Sequence, residues 1–185
     1  MDDDKATPAQ TTLADARRHV RANWEEGVAC PCCGLYVRLY KRKLNSSMAR
    51  GLIAMHCAAG TNYINIYDGL PIANVAARQL PTTRYWKMVE RPDVHKTDRN
   101  PRSGLYRLTS RGVDFVLNRI WAPRHVFVYN DRVRKIGDEH TCVTEALGDH
   151  FNYAELMGLW RDPPTPPKDQ LGLWVDDDPS DNGGP

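Results

Sequence analysis

The sequence predicts an α+β fold, and three observations lead to that prediction. Between residues 45 and 121, apolar periodicities alternate in the order helix, strand, helix, helix, strand, helix. A β-hairpin pattern and short helices follow over residues 122–160. The 185 residues suffice for one domain with appendages or for two small domains. No apolar run approaches the ~20 residues of a membrane span, so we expect a cytoplasmic protein without a membrane partner.

The first elements are a flexible start and a helix. Residues 1–10 show no periodicity, whereas residues 11–26 present one apolar face at helical spacing: Leu13, Ala16, Val20 and Trp24. This helix is expected either to pack on the core or to form the seam of a homodimer. With the cysteines and the strand pattern at 35–40, it makes up a predicted segment 11–44.

Five cysteines, an odd number, argue against a disulfide framework. Cys30-Pro31-Cys32-Cys33-Gly34 has the spacing of a zinc knuckle, in which backbone amides point at thiolate sulfurs and glycine permits a left-handed exit. A structural zinc site needs four ligands, and an extended His140 and Cys142 could complete the pair Cys30 and Cys33. The sequence therefore predicts structural Zn²⁺, a degenerate knuckle or buried structural thiols.

The segment 45–121 begins with a capped helix. Asn45-Ser46-Ser47 can cap a helix over residues 48–59, which Gly60 ends. A short strand is predicted at residues 62–68, and an Ala-rich second helix at 72–80. These elements precede the most basic part of the chain.

A third helix is predicted from residue 81 onward. Pro81-Thr82-Thr83 can cap its start, and Arg91-Pro92 ends it because proline lacks a backbone donor. Its apolar face has helical spacing: Tyr85, Met88 and Val89. The polar residues of 93–103 predict a solvated hairpin loop, and the strand pattern at 105–108 closes that hairpin before a helix at 109–120.

This order of helix, basic loop, strand and helix resembles the recognition helix, wing and closing strand of winged helix-turn-helix transcription regulators of the MarR and PadR kind. The resemblance covers roughly residues 45–121 and implies binding of double-stranded DNA. From Lys41 to Arg111, thirteen Lys or Arg face four acids, a net charge of +9. That charge suits a polyanion, although a basic face can also serve only solubility.

The resemblance and the charge select eight candidate DNA-binding residues. Arg84, at the start of the third helix, is the strongest candidate for a bidentate contact with guanine. The remaining candidates lie beside it or on the wing, where phosphate or the minor groove would be contacted: Arg78, Thr82, Thr83, Lys87, Lys96, Arg99 and Arg102.

The last two segments differ in character. Residues 125–129 and 132–136, joined by Asn130-Asp131, predict a hairpin that could pair with the 35–40 strand around the cysteines. Short closing helices are predicted at 144–147 and 153–160. Residues 161–185 carry a net charge of −4 and abundant proline, which predicts a disordered tail. Its apolar island at 171–175 either docks on a partner, folds back on the basic face or has no role.

Two functions from different classes remain. The first is a DNA-binding transcriptional regulator; the second is an interaction module that binds a host protein, with the winged fold as scaffold. The run from CPCCG to LYKRKLNSSMARGLI, with ALGDHFNYAELM, also resembles small uncharacterised bacteriophage proteins, which implies a phage or prophage origin. The sequence contains no GxGxxG, GxxxxGK[ST], HExxH or GxSxG motif, so we do not expect an enzyme.

Overall fold

The computed structural model describes residues 11–70, 74–92 and 104–158. The chain divides into two compact units, Met1–Tyr40 and Lys41–Pro185. Helices and several small sheets make up the described residues, which confirms the predicted α+β class. The predicted flexible start, the loop at 93–103 and the tail from residue 161 lie outside the described residues.

From residue 11 onward, the first unit contains one helix and one short hairpin. Helix α1 (Leu13–Asn23) begins at Thr12, whose hydroxyl accepts the Asp15 amide at 3.1 Å. Strands β1 (Val28–Ala29) and β2 (Tyr36–Val37) pair antiparallel, and the cysteine motif joins them. The spacing of Leu13 predicts a position on the buried face of α1, but its side chain is 62% exposed.

The predicted strand at 35–40 is wrong as a single element. Residues Tyr36–Val37 pair with β1, and a separate strand, β3 (Tyr40–Lys43), lies beside the later hairpin. We expected residues 35–40 to form one strand that pairs with the later hairpin and brings His140 and Cys142 to the knuckle. The strand that follows the cysteines, β2, pairs with β1 instead.

The helices of the second unit follow the predicted order. Helix α2 (Ser46–Ala59) is capped as predicted, because the Asn45 side chain accepts the Met48 amide at 3.0 Å. Strand β4 (Ile64–Asn65) and helix α3 (Asn74–Gln79) come next. The chain then tightens into a 3₁₀ helix, Leu80–Trp86.

The third helix is shorter than predicted. Lys87 takes a left-handed φ of 55°, and its amide bonds to the Arg84 carbonyl at 2.8 Å, which ends the 3₁₀ helix. Val89 therefore lies in strand β5 (Val89–Glu90) and not on a helix face. Its apolar side chain is buried all the same, which explains why the spacing suggested a helix.

A three-stranded sheet in the order β4, β6, β5 completes this region. Strand β6 (Leu105–Leu108) pairs antiparallel with both neighbours, and helix α4 (Ser110–Val116) follows it. Thr109 caps α4 by accepting the Gly112 amide at 3.1 Å. The loop between β5 and β6 contains the predicted wing residues.

The predicted hairpin is confirmed. Strands β8 (His125–Tyr129) and β9 (Arg132–Ile136) pair antiparallel, and Asn130 and Asp131 both have positive φ, as a tight hairpin turn requires. With β3 they form a sheet in the order β3, β8, β9. The remaining elements are the strand pair β7 (Ala122–Pro123) and β10 (His140–Thr141), then α5 (Val143–Leu147) and α6 (Tyr153–Met157).

One hydrophobic core unites the second unit. It combines residues of α2 and the 3₁₀ helix with residues beyond position 121. Trp86 and Phe115 are its largest fully buried side chains. Tyr153 joins the same core, and its hydroxyl donates to the Val116 carbonyl at 2.8 Å. The segments predicted at 45–121 and 122–160 therefore share one interior.

Candidate nucleic-acid interface

The 3₁₀ helix is anchored by its buried side chains. The Trp86 indole donates from Nε1 to the Pro123 carbonyl at 2.6 Å, so the buried indole N–H has a hydrogen-bond acceptor. Leu80 packs close to Gly51 of α2, where an added Cβ would lie 2.7 Å from the Leu80 side chain. These contacts fix which residues of the 3₁₀ helix face outward.

Thr83 faces inward. It is 0% exposed, and its hydroxyl donates to the Leu80 carbonyl at 2.6 Å. The prediction that Thr83 contacts DNA is therefore wrong in this conformation, because its only polar side-chain atom is used inside the fold. Thr82 is partly exposed, and Arg78 and Lys87 are exposed.

Arg84 is held by a small polar cluster. Its guanidinium forms an ion pair with Asp131 and lies 4.8 Å from the centroid of the Tyr85 ring. The Tyr85 hydroxyl also donates to Asp131 Oδ1 at 2.6 Å. That hydrogen bond, followed by the bond and charge of Arg84, lowers the pKa of Asp131 despite the opposing effect of partial burial.

Asp131 is the residue of this cluster that the sequence did not indicate. It lies in the turn of the β8–β9 hairpin, 47 positions from Arg84 in the chain. An Asn-Asp turn signals a hairpin, but no spacing rule connects that turn with a distant arginine. The contact depends on tertiary packing alone.

The base of the loop between β5 and β6 carries paired cations. Arg107 of β6 forms an ion pair with Glu90 at 2.6 Å and stacks 4.8 Å from the Tyr63 centroid. Arg91 donates to the Tyr106 hydroxyl at 2.7 Å. Positive charge is thus ordered where the loop begins, whereas Lys96, Arg99 and Arg102 lie outside the described residues.

The cysteine motif forms the predicted turn. Gly34 has a φ of 71°, its amide bonds to the Cys30 carbonyl at 2.8 Å, and the Cys30 amide bonds to the Leu35 carbonyl at 2.8 Å. Hydrogen bonds from the backbone of Cys33 and then of Cys32 lower the pKa of the Cys30 thiol. Stabilisation of a thiolate suits a soft metal ligand.

The other two predicted metal ligands have partners of their own. Cys142 is buried with its sulfur 3.0 Å from the Thr144 hydroxyl, and His140 Nδ1 lies 3.1 Å from the Asp138 carbonyl. Within the described ranges, no group of three or more His, Cys, Asp or Glu side chains is arranged to hold a metal ion. The Cys30 and Cys33 turn thus fits two of the four ligands that zinc requires.

Comparisons with known proteins supply no family. The chain matches no protein-family model, and neither a curated protein nor a solved structure is significantly similar to it. Of the helices in the described part of the chain, none has the length and apolar character needed to cross a membrane.

Proposed function

We propose that this protein is a DNA-binding regulator whose second unit is a winged helix-turn-helix. The sheet order β4, β6, β5 supports this proposal above all. The strand after the first helix, β4, pairs with β6, and β5 pairs with the other edge of β6. Two further helical segments, α3 and the 3₁₀ helix, lie between β4 and β5 in the chain.

In this proposal the outward residues of the helical segments contact a duplex. Arg78 and Lys87 bind phosphates, and Thr82 lies between them in the chain. The wing residues supply a second contact with the backbone or minor groove: Lys96, Arg99 and Arg102. A 3₁₀ helix of seven residues is about 14 Å long, which is close to the width of the major groove.

Arg84 has a conditional role in the proposal. Its Nη2 donates to both Asp131 and the Tyr85 hydroxyl, so a bidentate contact with guanine that uses this nitrogen requires Arg84 to leave Asp131. DNA and the Asp131 carboxylate therefore compete for Arg84. Replacement of Asp131 should strengthen DNA binding, whereas replacement of an outward cation should weaken it.

The experiment compares duplex binding by the wild type and two variants. Fluorescence anisotropy with mixed-sequence duplexes, at several salt concentrations between about 50 and 200 mM, should show affinity that falls steeply with salt. Lys87→Ala should weaken binding to all duplexes and reduce the salt slope by about one. Asp131→Asn should bind more tightly than the wild type.

Two matched variants control for net charge. Arg119→Ala removes an exposed cation that follows α4 and pairs with Asp114, and Asp149→Asn removes an exposed acid that follows α5. If each control changes affinity as much as its test variant, the effect is general electrostatics and the proposed surface is wrong. Absence of duplex binding at low salt would refute the DNA proposal.

A second candidate function is binding of a protein partner. Three large apolar side chains near the end of the first unit are exposed: Leu35, Tyr36 and Tyr40. An apolar docking surface responds weakly to salt, in contrast to a phosphate contact. A partner that remains bound at high salt, and is lost on replacement of Tyr36 by Ala, would favour this alternative.

The proposal also includes structural zinc. Cys30 and Cys33 would supply two thiolates, and the backbone amides that hydrogen-bond to the Cys30 sulfur would stabilise its charge. Participation of Cys142 would require that its sulfur leave the Thr144 hydroxyl. The role of the metal would be to rigidify the hairpin and not to react.

A further inference from the structure

The β3–β8–β9 sheet has an outer face that combines aromatic and basic side chains. Val126 and Val128 of the central strand β8 belong to the core. Alternation along a strand places the residues between and beside them on the opposite face: His125, Phe127 and Tyr129. Each of these three rings is partly exposed. A row of rings thus runs along the middle of the sheet.

Cations lie on both sides of this row. The three strands contain six Lys or Arg and no Asp or Glu. Lys41 of β3 places Nζ 6.0 Å from the Phe127 ring centroid, and Lys135 of β9 places Nζ 5.5 Å from it. Phe127 is therefore a ring between two ammonium groups contributed by the two flanking strands.

A β-bulge is part of this arrangement. Phe127 pairs with Lys135 and Val128 pairs with Val133, so Arg134 is an extra residue in β9. Val133 points into the core, and in a regular strand without a bulge Lys135, two positions later, would point inward as well. The bulge thus returns Lys135 to the face of Phe127.

The pKa of His125, on the same face, is influenced by the nearby positive charges. Burial first, and then the charges of Lys41, Arg124 and Lys43, lower the pKa of His125, while Glu139 opposes them. Lysines of β3 thus act on two of the three rings. This face is suited to an anionic ligand that also has flat groups able to stack.

We propose that the outer face of the β3–β8–β9 sheet binds single-stranded nucleic acid, with an unpaired base stacked on Phe127 and the flanking phosphates bound by Lys41 and Lys135. Stacking requires an exposed base face, which a duplex does not offer to a ring on a sheet. The site is distinct from the duplex-binding surface proposed above, and neither depends on the other.

The test measures binding of the full chain to fluorescein-labelled oligothymidylate and oligouridylate of about 20 nucleotides. Phe127→Ala should weaken binding about tenfold. Phe127→Leu should weaken it similarly, because leucine keeps most of the apolar volume and lacks the flat ring. Replacement of both Lys41 and Lys135 by Ala should lower the salt slope by about 1.4.

The matched control is Tyr36→Ala, which removes an exposed ring of the β1–β2 strand pair in the first unit. It should leave oligothymidylate binding unchanged. Thermal melts of each variant show that it is folded. Oligothymidylate and oligouridylate distinguish DNA from RNA as the source of the strand.

The outcomes separate the two proposals. Single-strand binding that is lost in Phe127→Leu, with duplex binding retained, supports this sheet as an independent site. Duplex binding that fails while oligothymidylate still binds refutes only the winged-helix proposal. If Phe127→Leu binds single strands as the wild type does, or if the wild type binds none, the sheet proposal is wrong. Heparin is a polyanion without bases. If Phe127→Leu weakened heparin binding as much as single-strand binding, base stacking on Phe127 would be contradicted.

Discussion

The guanidinium of Arg84 lies against the Tyr85 ring and is paired with the Asp131 carboxylate. Because the pKa of Asp131 is lowered, its stabilising effect is present above the pKa of the unfolded chain and is lost as pH falls through the lower folded value. The ion pair is solvent-exposed, so it contributes little to folding. Its main consequence is to occupy the donors of Arg84.

At the same scale, the Cys30 thiol provides a test of zinc binding. Purified wild-type protein should retain zinc through gel filtration, as measured by inductively coupled plasma mass spectrometry, because two thiolates and their amide donors favour the metal. Cys30→Ser should lose it. Cys57→Ser is the control, since that exposed thiol lies 3.8 Å from the Leu156 carbonyl and is not part of the cysteine motif. Zinc retained by Cys30→Ser would exclude this knuckle as the site.

Among the secondary-structure elements, the junction of β5 with α4 is closely packed. A Cβ at Gly112 would lie 2.1 Å from the Met88 carbonyl oxygen, which belongs to the backbone and cannot rotate away. The Thr109 amide donates to the same carbonyl at 3.0 Å. Helix α4 can therefore approach the start of β5 only with glycine at this position.

Gly112→Ala should lower the free energy of unfolding by at least ~1–3 kcal/mol, because the backbone or helix must move to relieve the overlap. Urea denaturation followed by circular dichroism measures the loss. Gly158→Ala is the comparison: its Cβ would meet open space, and its left-handed φ of 64° alone costs about 1–2 kcal/mol. A smaller loss at Gly112 than at Gly158 would mean that the junction is not closely packed.

At the scale of the whole molecule, the parts of the second unit before and after position 121 share one hydrophobic core. Besides Ala122, six buried residues of its core lie beyond position 121: Val126, Val128, Val133, Val143, Leu147 and Tyr153. Each contributes roughly 1.5–3 kcal/mol of burial, so their sum is comparable with the entire stability of ~5–15 kcal/mol of a typical domain. The winged region should not be stable without them.

A fragment of residues 40–121 should consequently show no cooperative thermal unfolding, whereas residues 40–158 should unfold cooperatively. Circular dichroism melts of the two fragments make the comparison, and the longer fragment is the control for removal of the first unit and the tail. Cooperative melting of the shorter fragment would show that the predicted boundary at 121 is a true domain boundary.

Sequence patterns predicted the elements whose cause is local. The Asn45 cap and the Asn130-Asp131 turn depend on neighbouring residues, so they could be predicted correctly. The spacing of Tyr85, Met88 and Val89 fits a helix and also fits a 3₁₀ turn followed by a strand, and pairing of β5 with β6 decides between them. The contact of Arg84 with Asp131, and the position of Phe127 between lysines of two other strands, arise only from tertiary structure.

The placement of Asp131 in a hairpin turn has an evolutionary consequence. Turns accept replacement and insertion more readily than cores, and this one supplies the carboxylate that competes for a proposed DNA-contacting side chain. A single substitution at position 131 would alter the charge available to a ligand and leave the interior intact. Selection could in this way adjust occupancy of target sites in a genome by small steps, without a passage through unstable intermediates.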